Sequence, residues 1–194
     1  STMQNSLTSE RPDSSLIFLH IPKTAGQTMR NILTGHYSAQ ERYWVSKKKP
    51  LKALREMPAE QQRQYKLIYG HMRFGCHRWL AQPATYFTML RDPIERVISH
   101  YTFISQSPNH SKYAVAIAAK SVKEYVVCGL HRQTDNSQVR LLSGLGDKIQ
   151  FGDCTREHLE LAKHNLKKQF LLVGTLERFD ETVLMLSKLM GWSP

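Results

Sequence analysis

The sequence predicts an α/β fold: a single domain of three layers, with a central parallel sheet covered by helices on both faces. Three observations carry that expectation. Short apolar runs of strand length recur at residues 15–21, 66–71, 85–90 and 170–174, continuous enough to be buried on both sides as parallel strands are. Segments with helical spacing stand between them, and strands alternating with helices give a parallel sheet. The 194 residues are 41% hydrophobic and 22% charged, a balance that fits a globular domain and argues against wholesale disorder.

Each element has its own local reason. Residues 1–15 are polar and read as a flexible tail, which leaves 16–194 as the folded domain. Pro22 to Gly26 interrupts the first apolar run, and a helix is predicted over 28–37. The segment Lys47-Lys48-Lys49-Pro50-Leu51-Lys52 is a basic loop, followed by a polar helical stretch to Gln64. The second strand ends in a turn at Gly70-His71, and the third runs into Arg91-Asp92-Pro93. There Asp92 can cap, Pro93 suits the first helical position and Glu95 completes a variant of the capping box, so a helix should run to about Ile104. Helices are also expected over 122–127 and 136–142. The stretch 156–169 is amphipathic, with Leu159, Ala162 and Leu166 inward. A fourth strand and a last helix over 180–190 complete the chain.

Composition narrows the partners. With 27 Lys+Arg against 16 Asp+Glu the formal net charge is +11, which points to an anion without naming it. Cys76, Cys128 and Cys154 are scattered and form neither a CxxC pair nor a disulfide framework. No HExxH or paired-cysteine spacing suggests a metal. No apolar run approaches the ~20 residues of a membrane span, and the N-terminus lacks a signal-peptide core. The corresponding expectation is a cytoplasmic chain if the sequence is complete, with an upstream signal or anchor as the alternative.

Two segments carry the chemistry. Ile21-Pro22-Lys23-Thr24-Ala25-Gly26-Gln27-Thr28 joins a buried strand to a helix N-terminus, where free N–H groups and the helix dipole favour an anion. Lys23 adds a charge, and Thr24 and Thr28 add hydroxyls. Because Lys23 precedes Gly26 and no Gly-Lys dipeptide occurs, the loop is not a Walker A motif. Arg91 ends the third strand, and Ser99 follows about two turns into the next helix. Ligands bind at such strand ends in open parallel sheets, and an Arg with a Ser can hold one phosphate.

Together these segments resemble the 5′-phosphosulfate and 3′-phosphate motifs of sulfotransferases that use 3′-phosphoadenosine 5′-phosphosulfate (PAPS). The Ile-Pro-Lys-Thr form of the first loop is similar to the carbohydrate-acting branch, the uronosyl 2-O- and chondroitin-type enzymes. The run from Arg91 to Tyr101, the segment Tyr69 to Gly75, Asn136 to Gly144 and Phe170 to Trp192 extend the resemblance over about residues 16–192. It implies a P-loop-like cradle in which Lys23, Thr24, Ala25, Gly26, Gln27 and Thr28 hold the 5′-phosphate. Arg91 and Ser99 would take the 3′-phosphate, Lys23 would stabilise the leaving group, and no metal would be required.

A base is needed for the acceptor hydroxyl, and His71 is the expected one. It ends a strand at the sheet edge shared by Lys23 and Arg91, and the resemblance places a catalytic His after such a Gly. Where some uronosyl enzymes have a second His two positions earlier, this chain has Tyr69. His20 is the competing histidine. Arg73 and Arg140, together with Arg78, are the candidate contacts to an acceptor, a carbohydrate either neutral or anionic, and solvated or ion-paired side chains are the alternative reading. Two other classes stand beside this reading: a P-loop-type nucleoside or small-molecule kinase, and a non-catalytic binder of acidic glycan or nucleic acid. The first lacks its motif, and no recognisable nucleic-acid module supports the second.

Overall fold

Ser15–Leu19 forms the central strand β1, and alternation along it builds a layer on either side. Leu16 and Phe18 enter a core with Met29, Leu33, Phe87, Met89 and Leu186. Ile17 and Leu19 enter another with Tyr43, Leu54, Ile68, Tyr86, Leu142 and Ala162. The structure is a computed structural model, and it describes residues 13–192. After β1 come α1 (Gly26–Gly35), β2 (Arg42–Val45), α2 (Leu51–Glu56), α3 (Ala59–Arg63), β3 (Leu67–Gly70), β4 (Ala84–Leu90) and α4 (Pro93–Ser105). The second half holds α5 (Tyr113–Ala118), α6 (Val122–Val127), α7 (Ser137–Ser143), α8 (Arg156–Gln169), β5 (Phe170–Thr175) and α9 (Phe179–Met190).

The strands pair in the order β2-β3-β1-β4-β5, each pair parallel. Helices α1 and α9 supply the side chains on the Phe18 face, while α2, α7 and α8 supply those on the Ile17 face. The result is the three-layer α/β domain expected from the sequence. All five strands end at one edge, so the loops after β1, β3 and β4 lie side by side there.

Differences from the expected elements have local causes. β2 was not expected, because Arg42-Tyr43-Trp44-Val45 is short and only Tyr43 is buried. Pairing with β3, not hydrophobicity, makes it a strand. The helix predicted to Gln64 is two helices, broken at Met57-Pro58 where proline cannot continue the ladder. The alanine-rich α5 is likewise additional to the expected elements. The tail ends earlier than residue 15: Ser15 is buried in β1, and its hydroxyl donates to the Tyr65 carbonyl (2.6 Å). The rest of the expected tail, residues 1–12, lies outside the described residues. At α4, Asp92 caps by accepting from the Ile94 and Glu95 N–H groups (both 3.0 Å). Glu95 does not close a capping box, since the Asp92 N–H donates to Glu177 Oε1 (2.9 Å) instead.

Arg140 requires a correction. It is 3% exposed, and its guanidinium is committed to the Asp135 carboxylate and carbonyl and to the carbonyls of Gly146 (3.1 Å), Ile149 (2.6 Å) and Gln150 (2.8 Å). With those donors turned inward it clamps the loop after α7 and has nothing to offer an acceptor. Arg140→Ala should lower unfolding free energy by about 3–5 kcal/mol, because it strands a buried carboxylate and several carbonyls. Denaturant titration measures this, and a loss below about 1 kcal/mol would contradict the clamp.

Candidate functional site

The turn after β1 is held in a conformation that its residues do not favour. Lys23 and Ala25 both have positive φ, 68° and 61°, at a cost of roughly 1–2 kcal/mol each for residues with a Cβ. Such strain persists only where neighbours determine it, and here they do. The buried Thr24 hydroxyl donates to the Ile21 carbonyl (2.8 Å), Arg96 Nη1 to the Pro22 carbonyl (3.3 Å), and Arg91 Nη1 to the Lys23 carbonyl (3.4 Å). Gly26 lies so close to the His20 ring that a Cβ would stand 1.7 Å from Nε2.

What the turn offers is a set of backbone amides. The α1 ladder begins with the Met29 N–H donating to the Ala25 carbonyl (3.1 Å), so the amides of Gly26, Gln27 and Thr28 precede it, as at any helix start. The Thr28 side chain is exposed. The Gln27 amide reaches Asn31 Oδ1 at 3.4 Å. Thr24 departs from expectation: its hydroxyl proton is used inside the loop, which leaves only its N–H for an anion.

Cations converge on the same turn: Lys23 within it, Arg91 from the end of β4 and Arg96 from α4. Arg91 at the end of β4 is held by its backbone, whose N–H and carbonyl both bond the Gln138 side chain (3.1 and 2.8 Å). Its only ion pair among the described residues is a loose one to the exposed Glu95, 3.9 Å away. Lys23 Nζ lies 4.6 Å from the Phe103 ring centroid. Burial, then the nearby Arg91, lowers the Lys23 pKa. Helical spacing puts Arg96, Ser99, His100 and Phe103 on one side of α4, toward the turn. Ser99 is partly exposed. Arg96 is 2% exposed, and burial with Arg91 beside it lowers its pKa to about 10. Its other partners are the Gln133 side chain (3.1 Å) and carbonyl, so no carboxylate neutralises it among the described residues. Arg96 and His100 lie within the Arg91 to Tyr101 segment, and their i, i+4 spacing is the sequence signal that they share a helix face.

His71 sits at the end of β3, beside the turn. Gly70 before it has a φ of 140°, and a Cβ there would meet the Val45 carbonyl oxygen at 2.6 Å. The exposed His71 ring packs on His20 with centroids 4.4 Å apart. Its Nδ1 lies 2.8 Å from the His20 carbonyl oxygen. A carbonyl only accepts, so Nδ1 carries the proton, and in the neutral ring Nε2 keeps a lone pair. That is the tautomer of a general base. His20 is the support: it stacks on Phe18 (5.4 Å), and burial, then His71 and Arg30, lowers its pKa to about 3. Arg73 is at the surface and paired with Asp147 (2.7 Å), an exchangeable contact. Among the described residues no group of three or more His, Cys, Asp or Glu is arranged to hold a metal, and no helix is long and apolar enough to cross a membrane.

Two predictions follow from this packing. Gly26→Ala should displace His20 and cost about 1–3 kcal/mol by overpacking, whereas Ala25→Gly should relieve a left-handed alanine and leave stability unchanged or higher. Thermal unfolding of both variants checks the pair, and equal losses would contradict the strained turn. His100 behaves like His20: burial, then His131, Arg96, His110 and Lys23, lowers its pKa to about 3. Both histidines stay neutral in the folded chain while the unfolded chain takes up protons below about pH 6.5. Stability should therefore fall as pH drops from about 6.5 toward 3, with a slope of up to about two protons. Denaturant titrations across that range measure it, and a flat profile would contradict the neutral histidines.

The geometry can be set beside known proteins. The chain is 24% identical over 204 residues to chicken (Gallus gallus) heparan sulfate 2-O-sulfotransferase 1, covering 91% of this chain and 55% of that protein. For the human (Homo sapiens) protein of the same name the figures are 22% over 210 residues, 94% and 56%. The chain thus spans about half the length of these curated relatives. Among solved structures, mouse sulfotransferase SULT7A1 complexed with PAP superposes with a TM-score of 0.55 at 11% identity, covering 96% of this chain and 61% of that one. That likeness supports the α/β fold. The Sulfotransferase family profile matches residues 9–193, nearly the whole sequence, and the chain therefore belongs to the sulfotransferase family.

Proposed function

We propose that the chain transfers a sulfuryl group from PAPS to a carbohydrate hydroxyl. One observation carries the reading: the strained turn with Lys23, the Arg91–Ser99 pair and the base-tautomer His71 lie at the ends of adjacent strands β1, β4 and β3. A donor with two separated phosphates and an acceptor hydroxyl need three such groups. The matched relatives are heparan sulfate sulfotransferases, which supports a carbohydrate acceptor. SULT7A1 was solved with PAP, which supports the nucleotide. A kinase has no corresponding support.

In the proposed reaction the turn's amides and Lys23 hold the 5′-phosphosulfate, and Arg91 with Ser99 holds the 3′-phosphate. His71 Nε2 accepts the proton as the acceptor oxygen attacks sulfur. The S–O bond to the 5′-phosphate breaks, and Lys23 offsets the charge that develops there. The products are a sulfate ester and adenosine 3′,5′-bisphosphate. Positioning and charge stabilisation do the work, as in phosphoryl transfer.

Calorimetry should show a preference for adenosine 3′,5′-bisphosphate over AMP. Lys23→Ala and Arg91→Ala should each weaken the bisphosphate by roughly 10–100-fold, the scale of one charged hydrogen bond. His71→Ala should bind it normally yet lose about 10²–10⁴ in transfer from labelled PAPS. Equal affinity for AMP would contradict the nucleotide site, and unchanged turnover in His71→Ala would contradict the base.

A further inference from the structure

Three histidines gather where α4 meets the segment between α6 and α7. His100 of α4 is 5% exposed, and the His131 ring meets it edge-on with centroids 4.7 Å apart. The His110 ring stacks on His131 at 6.5 Å. Tyr125 of α6 lies 6.3 Å from His100 and 6.5 Å from His131. Phe103 joins this group to the turn, its ring 6.3 Å from His110 and in contact with Lys23 Nζ. The proposed reaction gives none of these histidines a role.

Their hydrogen bonds assign the protons. His131 Nδ1 accepts from the Gln133 N–H (3.2 Å) and His110 Nδ1 from the Lys112 N–H (3.1 Å), so neither ring carries a proton at Nδ1. An imidazolium donates from both nitrogens and can accept neither bond. His100 Nε2 and the Tyr125 hydroxyl are buried with no hydrogen-bond partner among the described residues, so an added proton meets no acceptor there. The charges acting on the cluster are cationic: Lys23 from the turn, Arg96 from α4 and Lys112 from the segment before α5. Exposed Arg132, next to His131, is paired with exposed Asp147 (3.7 Å). Burial, then Lys112, His110 and Arg96, lowers the His131 pKa.

Gln133 connects the cluster to the turn. Its side-chain oxygen accepts from Arg96 Nη1 (3.1 Å) and Ser137 Oγ (3.0 Å), and its carbonyl accepts from Arg96 Nη2. Arg96 Nη1 also donates to the Pro22 carbonyl (3.3 Å). We infer that His131 is a positioning residue of the turn: its unprotonated Nδ1 fixes Gln133, Gln133 fixes Arg96, and Arg96 fixes Pro22, so that protonation of the histidine cluster weakens nucleotide binding. The inference rests on the sulfotransferase reading and adds a control of that site by pH. Bound nucleotide favours the intact turn and with it a neutral His131. Binding therefore expels protons, and affinity falls as pH drops below about 6.5. An anion acting through space alone does the opposite, because it favours the imidazolium.

Calorimetry of the full chain with adenosine 3′,5′-bisphosphate, from about pH 7.5 to about pH 5, tests this across the histidine range. The comparison is the double variant His110→Asn/His131→Asn. An Asn oxygen accepts from the N–H two residues on, as both rings do, and does not titrate. Ionisation of the phosphates and of His71 is common to both proteins. The double variant should match the wild type at about pH 7.5, and on acidification the wild type should lose about threefold or more beyond it. Gln133→Leu should already bind about threefold or more weakly at about pH 7.5, with the shallower profile of the double variant. On histidine-labelled wild type, NMR titration should show the bisphosphate lowering the His131 pKa, and this readout decides the question if the double variant fails to fold. The inference is overturned if the profiles of wild type and double variant are parallel, if Gln133→Leu binds like the wild type, or if the nucleotide raises the His131 pKa or leaves it unmoved. A wild type that does not bind the bisphosphate at neutral pH overturns the sulfotransferase reading and this inference together.

Discussion

The conformation of the turn from Pro22 to Gly26 is the constraint on which the site depends. Two left-handed residues with side chains are held there by bonds from Thr24, Arg91 and Arg96. Apart from Thr24, which lies in the turn itself, the groups that hold the turn come from parts of the fold fixed for other reasons. Arg91 is set by β4 and Gln138, Arg96 by the capped helix α4 and Gln133, and His20 by stacking on Phe18 in the sheet core. Packing of the two apolar layers is thereby converted into the direction of a few backbone amides. The same geometry orders His71, because the carbonyl that fixes its tautomer belongs to His20, just before the turn.

These tethers concentrate positive charge. Burial, and then Arg91 beside them, lowers the pKa of both Lys23 and Arg96. Neutral carbonyls and amides satisfy the guanidinium of Arg96 without cancelling its charge. A polyanion bound there would relieve that repulsion, so that binding and stability of the turn would be two faces of one energy. The +11 net charge acquires a local meaning here. Part of it surrounds the turn, and a second part lies with Trp44 and Arg30 near the end of edge strand β2.

Much of the fold and site was legible in the sequence because it is written in local patterns. The apolar runs of β1, β3 and β4 are buried on both faces while edge strand β5 is only partly covered, and Asp92-Pro93 starts α4 as its residue types require. Lys23, Arg91 and His71 could be placed at one edge because each follows such a run. β2 could not be read, since an edge strand with one buried residue owes its form to a partner distant in sequence. Arg140 was misread for a related reason: a cation looks the same in sequence whether it faces solvent or five oxygens of its own loop. Thr24 and Glu95 show the same limit, their expected partners being displaced by the Ile21 carbonyl and by Glu177.

The central claim is that the turn and its cations form a cradle for a phosphate-bearing nucleotide. The titration of Lys23, followed by NMR on lysine-labelled protein, tests it most directly. Burial and Arg91 hold the ammonium below its ordinary pKa, and a phosphate beside it must act in the opposite direction. The account requires a depressed Lys23 pKa in the protein alone and a rise on addition of adenosine 3′,5′-bisphosphate. An ordinary pKa that the nucleotide leaves unmoved would contradict it.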